Sequence, residues 1–124
     1  MFFPFSKKLV GVNAGATYRL PLGQTGCPTF APWLAAASLR LLADGLDGVV
    51  HLVGGEALTK AAWAALLVRE LGLPACTIVE VPAAAAGQVA PRPQRVVLRS
   101  ERHVLEHPPL ASVLADLRGP LAGA

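Results

Sequence analysis

The chain has 124 residues, enough for one compact domain, and 53% of them are hydrophobic, but so many of these are alanine that the core must lean on scattered Leu, Val, Trp and Phe. Charged residues make up only 15%, which leaves apolar surface that belongs against another domain or subunit. The net charge of +3 comes mainly from arginines between Arg92 and Arg102, too few and too local for a nucleic-acid binder.

At the amino end, Met1 to Phe5 is apolar and Lys7 and Lys8 follow, the reverse of a signal peptide, so nothing directs export. The segment from Phe2 to Val12 reads as the end of a helix or strand begun upstream. Asn13 to Gly15 offers a turn, and Thr17 to Leu22 suits a short strand. The uncharged run from Leu20 to Leu39 has the length of a membrane span, but Pro21, Pro28 and Pro32 with Gly23 and Gly26 break it. A helix is expected from Phe30 to Ala43, capped by Thr29, with Pro32 in its first turn and Gly45 as its left-handed stop. Its buried stripe would be Phe30, Leu34, Ala37 and Leu41.

Asp47 and Gly48 then turn the chain into Val49 to Val53, the clearest strand signal, closed by Gly54 and Gly55. Thr59 is the N-cap of a helix to Leu71, with Leu58 and Trp63 in the positions of a hydrophobic staple, and Gly72 ends it. Cys76 to Val81 reads as another strand. Pro82 and the four alanines Ala83 to Ala86 lead into a proline-interrupted stretch, followed by a strand-like Val96 to Leu98. A last helix runs from Leu110 to Leu117, with Leu110, Val113, Leu114 and Leu117 at helical spacing and Gly119 beyond. Strands alternating with helices make the fold class α/β.

Such folds bind nucleotides through a glycine-rich turn between strand and helix, and none is present here. Gly54 and Gly55 lack the GxGxxG spacing, and Glu56 would set negative charge where a pyrophosphate should lie, so the pair reads as a tight turn. Tyr18, the only tyrosine, has no lysine one helical turn later and reads as a half-buried strand residue, so no catalytic residue is assigned. His51 falls in an apolar strand, as a core imidazole. His103 and His107 have i, i+4 spacing, but Pro108 and Pro109 argue against a helix and no third metal ligand is evident. Cys27 and Cys76 read as free thiols of a reducing, cytoplasmic setting. Among Arg92, Arg95, Arg99 and Arg102, an extended stretch would put Arg95 and Arg99 on one face and the other two opposite, so all four would not serve one site.

The order of segments resembles the carboxy-terminal half of the dTDP-4-dehydrorhamnose reductase (RmlD-like) family of extended short-chain dehydrogenases. The family's Asp-Gln, x, Gly, x, Pro-Thr stretch and following Asp-Leu-Ala match Gly23 to Thr29 and Trp33-Leu34-Ala35. Its Gly, apolar, apolar, His, apolar, x, Gly strand matches Gly48 to Gly54. Its capped helix ending in Leu-Gly-Leu matches Thr59 and Leu71 to Leu73, and its Arg-Pro with a Leu five positions on matches Arg92-Pro93 and Leu98. Gly23 and Trp33 depart from the pattern by replacing aspartates.

The resemblance implies a small, partial α/β domain: the substrate-side lobe, from which the Rossmann half with its glycine-rich turn and Tyr/Lys pair is missing. It implies binding of a nucleotide sugar of the dTDP-4-keto type through Arg92, with Gln24 and Thr29 as loop contacts. This chain alone would bind no cofactor and be inactive, NAD(P)H belonging to a complete parent, and its partner would be the missing half or another protein subunit. The loss of both aspartates is also compatible with a non-catalytic interaction or regulatory module derived from the family.

Overall fold

The computed structural model describes residues 12–103 and 105–122. The expected element at Phe2 to Val12 lies outside them, apart from Val12 itself. Strand β1 (Thr17–Pro21) pairs in parallel with β4 (Thr77–Val81), in a register that sets Thr17 against Thr77 and Pro21 against Val81. A second ladder joins β2 (Thr25–Gly26) and β3 (Leu58–Thr59) antiparallel. The helices are α1 (Ala31–Ala43), α2 (Lys60–Leu71) and α3 (Leu110–Ala122), and Ala83–Ala86 forms a 3-10 turn. The chain is thus a small α/β unit with a parallel two-stranded sheet.

A two-stranded sheet needs cover to persist in water. Helix α2 supplies it, touching both β1 and β4 and packing against α3. The best-buried side chains follow this stack: Leu71 on α2, Leu110, Val113 and Leu114 on α3, and Val81 on β4. Helix α1 adds Ala37 and Leu41, the carboxyl end of its expected stripe.

Local chemistry explains the helix ends. Thr59 Oγ1 accepts the Ala62 N–H at 3.1 Å, as an N-cap should. Gly72 takes φ +64°, and the Leu73 N–H reaches back to the Val68 carbonyl at 3.0 Å, the six-to-one bond of a left-handed stop. The same device ends α1, where Gly45 has φ +70° and the Leu46 N–H donates to Leu41 O at 3.1 Å. Helix α3 runs to Ala122, past the expected stop at Gly119. Glycine permits a left-handed stop without imposing one.

Three other expectations are corrected. Val49 to Val53 is not a strand: strand preference is largely packing against neighbouring strands, and among the described residues none lies alongside. His51 is consequently exposed rather than a core imidazole. Val96 to Leu98 is irregular as well and its side chains are exposed. The third concerns Thr29, which does not cap α1. The N-cap is Phe30 with no side-chain cap bond, and its N–H donates instead to His107 Nε2 at 2.9 Å.

Candidate functional site

Thr25 is the hub at which three stretches of chain meet. It pairs with Thr59 across the β2–β3 ladder. On its other side it forms a parallel bridge to Arg95, donating from its N–H to Gln94 O at 2.8 Å while its carbonyl accepts from Val96 N at 2.9 Å. One residue earlier, the Gln24 carbonyl accepts the Lys60 N–H at 3.0 Å. Beside these bonds lies an open cavity of about 210 Å³ lined by Gln24, Thr25, Lys60, Arg92 and Pro93 among others.

Among the described residues Gln24 is the most buried polar one, 5% exposed. Its amide lies in a reciprocal pair with Gln88: Gln24 Nε2 donates to Gln88 Oε1 at 2.7 Å, and Gln88 Nε2 donates to Gln24 Oε1 at 3.2 Å. The 3-10 turn delivers Gln88 there, closed by Gly87 at φ +80°. Each primary amide keeps a further donor and lone pair beyond this exchange.

The electrostatics of the cavity are one-sided. Lys60 is the first residue of α2, whose first turn carries no acidic residue, although the positive end of a helix dipole favours negative charge. Partial burial, and then the neighbouring Arg92 guanidinium, hold the Lys60 ammonium below the ordinary lysine range. Among the described residues the one side-chain ion pair is Arg69 with Glu70 at 2.8 Å, on the exposed flank of α2. Neither Lys60 nor Arg92 therefore has a carboxylate within ion-pair distance there.

The model of the RmlD substrate binding domain family matches residues 13–110 of the 124. The chain belongs to this family. The family ties it to sugar-nucleotide reductases, and the match takes in every residue named around the cavity. No curated protein and no solved structure matches the chain.

In this RmlD substrate binding domain the sequence-derived site residues divide. Gln24 and Arg92 line the one cavity, but Thr29 lies elsewhere. Its hydroxyl donates to Cys27 O at 3.1 Å and accepts the Gly54 N–H at 2.9 Å, pinning the 49–54 segment to the β2–α1 loop. The other arginines do not converge on Arg92. Arg102 Nη1 donates to the carbonyls of Asp47 and Val49, each at 3.2 Å, and Arg95 and Arg99, exposed like Arg92 itself, are not among the cavity's lining residues.

The two residues that replace family aspartates have structural work of their own. Gly23 takes φ +70°, a conformation L side chains rarely adopt. Trp33 Nε1 donates to Glu106 O at 2.9 Å, and its ring meets His107 edge-on at 4.7 Å between centroids. Beside it lies a larger cavity of about 280 Å³, lined by Trp33, Ala36, Ala37, Arg40, Leu105 and Glu106. Its two charged lining residues are of opposite sign, so it offers no net positive charge to hold phosphate.

Sequence reasoning missed Lys60 and Gln88. A lysine at the first position of a capped helix, against the dipole, was a usable signal for the former. Gln88 carried none. Its role follows from the turn before it. Glu56, set aside as hostile to a pyrophosphate, has a structural role: its Oε2 accepts the Leu110 N–H at 2.8 Å and so neutralises an orphan donor at the start of α3.

Proposed function

We propose that this chain is the sugar-nucleotide-binding lobe of an NAD(P)-dependent reductase acting on dTDP-4-keto sugars, and that it has no reductase activity alone. The observation that carries the reading is the Gln24–Lys60–Arg92 cavity, with two cations and no carboxylate partner among the described residues, in a chain of the RmlD substrate binding domain family. Arg92 would face the diphosphate, since a planar guanidinium matches two phosphate oxygens at once. Gln24 would present its remaining amide donor, held in place by Gln88. Thr29 would act from outside the cavity, keeping the loop before α1 fixed through Gly54.

A cavity of about 210 Å³ is smaller than the roughly 300–1,000 Å³ of ordinary small-molecule sites. It has room for part of a nucleotide sugar, and the remaining walls would come from the polypeptide that carries the nicotinamide. That cofactor's chemistry is hydride transfer. The sequence has neither a glycine-rich nucleotide turn nor a tyrosine followed by a lysine one turn on to support it.

The test is a two-dimensional amide NMR titration of the chain with dTDP, a dTDP-sugar and NADPH in turn. Shifts centred on Gln24, Thr25, Lys60 and Arg92 are expected with the two dTDP ligands. An equal or larger response to NADPH would overturn the assignment. A second reading, the non-catalytic interaction module, draws on α1, where Leu39 and Leu42 are 68% and 71% exposed; a dispersed spectrum indifferent to all three ligands would favour it.

A further inference from the structure

We infer that Lys60 is the second arm of a diphosphate clamp, lining the same cavity as Arg92. The inference rests on the sugar-nucleotide reading and adds a residue to it.

Three positive elements converge at this point. Lys60 occupies the first position of α2, so its side chain leaves the backbone beside the positive end of that helix's dipole. Arg92 lines the same cavity and lies close enough to disfavour the charge on Lys60. No acidic residue is among the lining residues or in the first turn of α2. Two like charges and a helix terminus brought together without a counter-ion oppose folding.

The position is also held in place. The Lys60 N–H is bonded to Gln24 O at 3.0 Å, and Thr25 is tied to both Gln94 and Val96, so the segment bearing Arg92 is bridged to the one that pairs with β3. A diphosphate carries charge on both phosphoryl groups and has oxygens enough for a guanidinium at one and an ammonium at the other. A monophosphate would engage one arm.

The experiment is isothermal titration calorimetry on the full chain with dTDP, dTMP and inorganic pyrophosphate, for wild type, K60Q, K60R and R92Q, beside urea unfolding of each. Removing a charge-assisted contact is expected to weaken dTDP and pyrophosphate about tenfold in K60Q, with K60R close to wild type. Binding of dTMP is expected to fall less. K60Q should be at least as resistant to urea as wild type, because it removes a cation from the positive end of α2. A lysine that merely supports the fold would give the opposite, a less stable K60Q. Unchanged dTDP affinity in K60Q with weakened binding in R92Q would overturn the clamp and leave the sugar-nucleotide reading standing. Pyrophosphate binding that depends on Lys60, without binding of dTDP, would support the clamp and sink that reading. No binding of any of the three would overturn both.

Discussion

Gly54 shows how one side chain too many would disturb this molecule. Its backbone lies so close to Pro28 that an added Cβ would overlap the Pro28 carbonyl oxygen, whereas the same addition at Gly55 meets nothing within 4 Å. Gly54→Ala is therefore expected to destabilise the chain by about 1–3 kcal/mol, the usual range for overpacking, and Gly55→Ala to stay within about 0.5 kcal/mol. Urea unfolding midpoints of the two variants check this. Residue-level expectations held where the deciding partner is close in sequence. Thr59 caps α2 through an N–H three residues on, and Gly45 and Gly72 stop their helices within a turn. Thr29 had the same credentials as a cap. Its hydroxyl is instead engaged by Cys27 O and by the Gly54 N–H, 25 residues away, and no local pattern announces that distant partner.

Among the elements, β1, α2, β4 and α3 were legible because each carries its own periodicity or stop signals and its cover lies within the described chain. The segment 49–53 was not. Its β-branched run satisfies every local criterion for a strand, but a strand's hydrogen bonds belong to its neighbour, and here Val49 is 75% exposed with its carbonyl bonded to an arginine side chain. Amide hydrogen exchange should show the difference directly. The amides of 49–53 are expected to exchange near the rate of an open chain and those bonded between β1 and β4 far more slowly; equal protection would mean that 49–53 has found a partner strand in solution. The cavity was half legible for a similar reason. Gln24 and Arg92 stand in recognisable motifs, while Lys60 reaches them only through the β2–β3 ladder, two residues long on each side.

For the molecule as a whole, the sparse core decides its behaviour. Seven apolar residues among those described are buried, one of them an alanine, and no large side chain is fully enclosed. Less surface is exposed again on unfolding than for a compact domain of equal length, and the urea m-value scales with that surface. Unfolding is thus expected to be shallow, with an m-value below that of compact domains of this size, and the native chain should enhance the fluorescence of a dye for apolar surface. A steep transition without dye binding would show that α1 and its leucines are covered in solution. The low share of charged residues already pointed this way, since it left apolar area with nowhere to go in a chain of this length.

The parallel pairing of β1 with β4 has a consequence in time. Parallel strands cannot be joined by a tight turn, and here α1, the 49–53 segment and α2 all lie between them. Loop closure must precede any gain from the contacts it allows, which slows folds built on distant pairings. The bridge from Thr25 to Arg95 spans a longer stretch still, because its second member emerges after β4. During synthesis the helices can form as they leave the ribosome, but Gln24 and Lys60 must wait for Arg92. The cavity is therefore completed only after β4 has emerged, and a nascent chain halted before Pro91 would lack one arm of the clamp together with α3, whose Leu110, Val113 and Leu114 complete the core.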